Sequence, residues 1–147
     1  MPEAEHRFRL FKLARLKAHY GGPFLVEGEA LRPFYRALDN HVMAMLIDVP
    51  YPDDRTACVA LPFLGRTGYF PVGLARIAKR ADAMIIPFYT FESRAGGHVR
   101  FHEPVPVQDM NETEITAHLV ALLESHILQD PQMWWLWQAL PLFWRQD

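Results

Sequence analysis

Cysteine, long apolar runs and net charge are all scarce in this chain of 147 residues. Its one cysteine, Cys58, excludes an internal disulfide framework and a cysteine-cluster metal site. No apolar run approaches the ~18 residues that span a bilayer, and no signal-peptide pattern opens the chain. A formal net charge of −2 gives no reason to expect nucleic acid as a partner. We therefore expect one folded domain, residues 1–147, located in the cytoplasm.

Familiar catalytic motifs are missing as well. The sequence has no glycine-rich phosphate loop, no nucleophile elbow and no Cys/His nucleophile pair. Half of its residues are apolar and 22% are charged, which is the composition of a folded protein rather than a disordered one. The function must therefore be sought in the order of its segments.

Three apolar runs dominate residues 41–91. Val42–Ile47 ends at Asp48, Cys58–Leu64 is closed by Gly65, and Ala83–Tyr89 follows a short helix predicted at Pro71–Arg80. Because the runs are too continuous for a half-exposed sheet, they predict an α/β fold with a mixed, mostly parallel sheet flanked by helices. Ligands of such sheets lie at the carboxyl ends of strands, which makes Asp48 the best candidate site residue.

The predicted helix at residues 6–20 carries five Lys/Arg residues and no acid. Such a basic amphipathic helix either rests on anionic lipid headgroups or packs as an ordinary surface helix. A second helix is predicted at Glu29–Leu38, with Pro33 in its first turn, where proline is tolerated.

The C-terminal half reads as a hairpin, a strand, a helix and an aromatic tail. Arg94–Gly97 predicts the turn and His98–Val107 the strand, on which His98 and Glu103 point to opposite faces and cannot form a catalytic dyad. Asp109–Gln129 predicts a helix capped by Asp109. All four tryptophans lie between Trp134 and Trp144, and such a tail packs on the sheet or meets lipid or another polypeptide.

Two metal sites can be drawn from the sequence. Asp48, Asp53 and Asp54 could hold magnesium for phosphotransfer, although acidic proline-rich loops are commonly solvated turns. His118 and His126 lie eight residues apart on the last predicted helix, but no third ligand follows at a suggestive spacing. We expect no metal at either place.

Five segments, in order, resemble the C-terminal half of the late acyltransferases of lipid A biosynthesis, the lauroyl/myristoyl transferase family. Members of this family are similar in fold to glycerol-phosphate acyltransferases. The segments are RALDNHVMAMLID (36–48), VALPFLG (59–65), FPVGLARIAKRADAMIIPF (70–88), GGHVRFHEPVPV (96–107) and DPQMWWLW (130–137). Val49 stands where the family usually has Gln or His, and Gln138 stands where a histidine is common.

The resemblance implies transfer of a fatty acyl chain from acyl carrier protein or acyl-CoA to a hydroxyl of a lipid A precursor or lysolipid. It implies no cofactor and a location on the inner face of the cell membrane. The family's catalytic H-x4-D/E pair lies upstream of every matched segment, so we expect that N-terminal segment to be absent here. No catalytic residue is assigned, and a second polypeptide is the expected source of the base. The alternative is a non-catalytic lipid- or partner-binding module that kept the fold.

The same resemblance implies the residues of the substrate site. Asp48 and Arg55 would border it. Phe63, Leu64 and Gly65 would line the acyl groove. Gly73 and Arg76 would help to place an anionic donor or acceptor.

Overall fold

The computed structural model of the chain describes residues 3–20, 32–50 and 56–144. The chain divides into two units, Met1–Val42 and Met43–Asp147. Within the described residues, no helix is both long and apolar enough to cross a bilayer.

The first unit contains the two helices predicted from its sequence. Helix α1 spans Glu3–Tyr20, and α2 spans Arg32–Leu38 with Pro33 in its first turn. Most of the described side chains of α1 are exposed, including Phe8, Leu10 and Phe11. Lys12 lies over the Phe8 ring at 5.0 Å, so cations and aromatic rings share the surface of this helix. The predicted start of α2, residues 29–31, lies outside the described residues.

The described residues of the second unit, 43–50 and 56–144, form two hairpins and three helices, joined by short 3-10 turns. In chain order these are β1 (Cys58–Phe63), β2 (Arg66–Pro71), α3 (Gly73–Ala81), β3 (Phe88–Ser93), β4 (Gly96–Phe101), α4 (Glu112–Gln129) and α5 (Leu140–Phe143). The 3-10 turns are Val107–Asp109, Pro131–Met133 and Trp137–Ala139.

The predicted parallel sheet is wrong for the described residues. They form two separate two-stranded antiparallel sheets, β1–β2 and β3–β4. A connection of only two residues, Leu64 and Gly65, can join only antiparallel strands, because a parallel pair needs a crossover of a dozen or more residues. Both turn residues have positive φ, 49° and 80°, which is the requirement of a type I′ hairpin. The second hairpin turns at the predicted place, Arg94–Gly97.

Two of the predicted central strands are also incomplete. Residues 41–50 contain no strand, and Val42 is 98% exposed. In the run Ala83–Tyr89, Ile85 forms an isolated antiparallel bridge with Val105, and the strand proper begins at Phe88. Of the three apolar runs, only Cys58–Leu64 therefore coincides closely with a strand, β1.

Helix α4 holds the second unit together because it packs on two hydrophobic clusters. Val120 and Ile127 belong to the first cluster, with the hairpin β1–β2 and the aromatic tail. Ile115 and Leu119 belong to the second, with α3. The cap differs from the prediction: Asn111, not Asp109, caps the helix and forms a capping box with Glu114.

The aromatic tail packs on the first hydrophobic cluster. This agrees with one of the two interpretations of the sequence, in which the tail packs on the sheet. Trp134, Leu140 and Phe143 are buried there. Trp135, by contrast, is 85% exposed.

Gly68 in β2 is expected to tolerate no side chain. A Cβ at this position would lie 2.9 Å from Cε2 of Phe70 and 3.1 Å from Cβ of Phe63. Since both rings are fully buried, Gly68→Ala should lower the free energy of unfolding by about 1–3 kcal/mol. Urea denaturation monitored by tryptophan fluorescence measures the change. Gly97→Ala is the matched control in a strand, because its Cβ meets nothing within 4 Å, and an equal loss in both variants would contradict the packing argument.

Candidate functional site

Asp48 is held by the aromatic tail. Its Oδ2 accepts a hydrogen bond of 3.1 Å from Nε1 of Trp134, a residue 86 positions further along the chain. The carboxyl is half-buried and follows Ile47, which packs on both hydrophobic clusters. Asp48 therefore has a fixed position although the strand predicted to carry it is missing.

The β1–β2 turn is fixed from two sides. The backbone N–H of Leu64 donates to Oε1 of Glu124 on α4 at 2.6 Å. Nε1 of Trp144 donates to the carbonyl oxygen of Phe63 at 3.1 Å. A leucine in the left-handed region costs conformational energy, and these bonds hold it there.

Phe63 lies in the core rather than at an open surface. Its side chain is fully buried, with ring centroids 5.0 Å from Phe70, 5.5 Å from Phe143 and 6.1 Å from Trp134. Leu64 is half-buried above it, and Gly65 is exposed. Through Trp134, the structure brings Asp48 together with Phe63, and we call Asp48, Phe63, Leu64, Glu124 and Trp134 the Trp134 cluster.

Gly73 and Arg76 lie instead at the start of α3, which packs on the second hydrophobic cluster. The guanidinium of Arg76 donates to the carboxylate of Glu112 from Nε at 3.1 Å and from a terminal nitrogen at 3.0 Å. Both side chains are partly exposed, at 41% and 36%. A bond of this kind is worth little in water, so an anionic ligand can compete for the arginine.

Arg55 and the loop carboxylates Asp53 and Asp54 lie outside the described residues. Within residues 3–20, 32–50 and 56–144, no group of three or more His, Cys, Asp or Glu side chains is placed to hold a metal ion.

A pair of histidines forms a contact that the sequence did not predict. Nε2 of His102, just after β4, lies 2.8 Å from Nε2 of His126 in the last turn of α4. The ring of Tyr89 in β3 stacks on His126 with centroids 4.1 Å apart. The alternating pattern of the strand placed His98, Arg100 and His102 on one face, but nothing in the sequence indicated that this face meets α4.

Burial and neighbouring charges perturb the titration of this group of side chains. Burial lowers the pKa of His126, and the nearby His102 and Arg100 lower it further, whereas Asp130 acts in the opposite direction. Burial also raises the pKa of Tyr89, with a smaller contribution from Asp130. These surroundings therefore favour the uncharged form of the His126 imidazole.

His98 has a different partner from the one its sequence spacing suggests. Its Nε2 lies 2.7 Å from Oγ of Ser93 across the hairpin, and its ring stacks on Phe91. Glu103 is exposed beyond the end of β4. The rejection of a His98–Glu103 dyad agrees with this geometry.

A cavity of about 310 Å³ lies between the β3–β4 hairpin and the turn that follows α4. It is lined by Thr90, Phe91, Glu92, Gly97, His98, Val99 and Met133. None of the site residues predicted from the sequence is among these seven.

The sequence was compared with models of known protein families. The model described as bacterial lipid A biosynthesis acyltransferase matches residues 10–141. The chain belongs to this family. A search of the curated proteins found no match. The match spans all five segments that carried the resemblance, and it supports a lipid A acyltransferase-like function with an acyl donor and a lipid acceptor as substrates.

Membership gives the Trp134 cluster its functional interest. Asp48, the Phe63–Gly65 turn and Trp134 belong to three different segments of those that carried the resemblance. In the structure, Trp134 and Trp144 of the tail bond to the first two. The tail therefore fixes the relative position of two segments that the sequence could not place together.

Proposed function

We propose that this acyltransferase-family chain supplies the substrate-binding part of an enzyme that moves a fatty acyl chain to a lipid hydroxyl. The donor is an acyl thioester of acyl carrier protein or coenzyme A, and the acceptor is a lipid A precursor or a lysolipid. The family match over residues 10–141 is the observation that carries the proposal. No cofactor takes part, because the thioester is itself the activated group.

The Trp134 cluster is the proposed acyl-binding region. Leu64 and Gly65 form its wall, and the fully buried ring of Phe63 supports that turn from the core without being exposed to a ligand. Asp48, held by Trp134, is proposed to border it. Arg55 is proposed for the same role from the sequence, since it lies outside the described residues. Apolar side chains suit an acyl chain because each buried methylene contributes about 0.8 kcal/mol.

Gly73 and Arg76 are proposed to place the anionic part of the donor or acceptor. A Cβ built at Gly73 would meet no atom within 4 Å, which leaves room on that side of the backbone for a ligand. Arg76 presents a partly exposed guanidinium that Glu112 holds in a bidentate orientation. Planar, paired donors of this type match the oxygens of a phosphate.

The proton-handling group is proposed to come from a segment that carries H-x4-D/E. In that chemistry the histidine removes the proton of the acceptor hydroxyl while the acid orients the ring. The hydroxyl oxygen then attacks the thioester carbonyl, and the thiol leaves. In the described part of this chain, His98 bonds Ser93, while His102 and His126 bond each other, so neither arrangement reproduces that pair.

Helix α1 supports a peripheral position on the inner membrane face. It exposes Phe8, Leu10 and Phe11 beside basic residues such as Lys12 and Arg15. Exposed apolar area and the attraction of cationic side chains to anionic headgroups both strengthen the binding of a helix to a lipid surface.

An acyl-transfer assay tests the proposal. Acyl carrier protein or coenzyme A charged with a fatty acid is mixed with a lipid A precursor or lysolipid and the chain. The chain is supplied alone or with the H-x4-D/E segment of a lipid A acyltransferase, and mass spectrometry detects the acylated lipid. Transfer only with the intact segment, and not with its His→Ala variant, is the expected result. Transfer by the chain alone at the same rate would show that it needs no outside base.

The second candidate function is a non-catalytic lipid- or partner-binding module. The exposed apolar face of the second hairpin favours it, since Phe88, Val99 and Phe101 are all at least half exposed. This candidate predicts binding of anionic vesicles without transfer in any arm of the assay.

A further inference from the structure

The second hairpin is attached to α4 through the histidine pair. His102 follows β4 directly, and its hydrogen bond to His126 joins the end of the hairpin to the last turn of the helix. The ring of Tyr89 in β3 stacks on the ring of His126. The opposite face of the hairpin is open, because Phe88 is 50% and Phe101 68% exposed. Tyr89, His102 and His126 therefore form a side-chain contact between the hairpin and α4.

A hydrogen bond between two imidazoles limits their protonation. One Nε2 must carry a proton and the other a lone pair, so the bonded pair can hold one extra proton but not two. When both rings are imidazolium, each Nε2 is a donor and the contact of 2.8 Å becomes repulsive. The bond is thus present or absent according to pH.

We propose that His102 and His126 form a proton-operated latch that holds the β3–β4 hairpin on α4 at neutral pH and releases it in mild acid. The cavity of about 310 Å³ is lined by six hairpin residues and by Met133, four residues beyond α4. One wall is therefore the hairpin that the latch holds, and the other is Met133 in the 3-10 turn after α4, so release of the hairpin widens the cavity. This inference does not depend on the acyl-transfer proposal.

The direction of the pH effect follows from the groups around His126. Tyr89 faces it from β3, Arg100 from β4, His102 from beyond β4 and Asp130 from the end of α4. Burial, His102 and Arg100 outweigh Asp130, so the folded protein favours the uncharged ring and the pKa of His126 is lowered. A lowered imidazole pKa gives stability that is present above the ordinary value of about 6.5 and is lost as the pH falls towards the folded-state pKa.

Amide hydrogen exchange of the full chain, followed by mass spectrometry at pH 7.5 and pH 5.0, tests the latch. After correction for intrinsic rates, protection of residues 88–101 should fall about tenfold at pH 5.0, the effect of losing one buried hydrogen bond. Protection of the β1–β2 hairpin should stay constant. In His102→Gln the difference between the two pH values should disappear, whereas His118→Gln, an exposed histidine on α4, should behave as the wild type.

An NMR titration of the imidazoles keeps the latch testable if His102→Gln does not fold. In the wild type, the His126 ring should titrate below the ordinary imidazole value. Titration of His126 at the ordinary value would overturn the proposal. So would a pH response of hairpin protection that His102→Gln leaves unchanged, or one shared equally by both hairpins.

Discussion

Phe63→Ala is expected to lower the free energy of unfolding by about 3–5 kcal/mol. The ring is fully buried and contacts three other aromatic side chains, those of Phe70, Trp134 and Phe143. Its removal leaves a cavity at the point where the β1–β2 hairpin, α4 and the aromatic tail meet. Urea denaturation followed by circular dichroism at 222 nm measures the loss.

Phe88→Ala is the matched control for this variant. Phe88 is also a strand phenylalanine with an aromatic neighbour, Phe101 at 6.1 Å, but it is half exposed. Truncation of Phe88 should lower the free energy of unfolding by about 1 kcal/mol or less. Equal losses in the two variants would show that the first hydrophobic cluster is not the stabilising core.

Trp134→Ala should also lower the free energy of unfolding by about 3–5 kcal/mol. The indole is buried, packs edge-on against Phe63 and donates its Nε1 proton to Asp48. Truncation therefore removes core packing and also releases Asp48, so binding at the Trp134 cluster should be lost with stability.

Trp134→Phe separates the two contributions. It keeps an aromatic ring but no N–H, so Asp48 loses its donor at an expected cost of about 1–2 kcal/mol, the usual range for a bond to a partly exposed charged group. Asp48→Asn, made with Trp134 unchanged, keeps an oxygen acceptor and should lower the free energy of unfolding by less. If Trp134→Phe proved as damaging as Trp134→Ala, the hydrogen bond rather than the packing would dominate.

Local pattern predicted much of the secondary structure. Helix α4 was expected from the spacing of Ile115 and Leu119, and the first hairpin strand from the run Cys58–Leu64. The strand β2 was missed, because Arg66, Thr67 and Gly68 interrupt any apolar run and only Phe70 marks its buried face. The cap of α4 moved from Asp109 to Asn111 because Asp109 is the last residue of a 3-10 turn and Met110 after it is extended.

Local sequence patterns could not predict which strands pair with each other. An apolar run indicates a buried extended segment but does not say which segment it pairs with, and pairing decides whether a sheet is parallel. The run Val42–Ile47 was taken as a central strand, yet its described residues pair with no other segment and Leu46 is 76% exposed. Family resemblance had the same limit, since it gave the order of segments and not their contacts.

The candidate site was predicted in part. Asp48 was singled out by its place after an apolar run, but the bond from Trp134 joins residues 86 apart and has no local signal. Phe63 was chosen as groove lining, whereas its depth in the core could be known only from tertiary packing. The His102–His126 pair was missed for the same reason, because a strand pattern shows which side chains share a face but not what that face contacts.

Binding of a non-transferable acyl donor by the chain alone is the most direct test of the account. Thioether analogues of acyl-CoA or acyl carrier protein with increasing chain length are titrated calorimetrically. We predict saturable binding that strengthens with chain length, by at most ~0.8 kcal/mol for each added methylene. Leu64→Asn, which suits the left-handed turn but removes the apolar side chain, should weaken it, whereas Leu128→Asn on the exposed face of α4 should not. Absence of binding, or binding indifferent to chain length and to Leu64→Asn, would contradict the account.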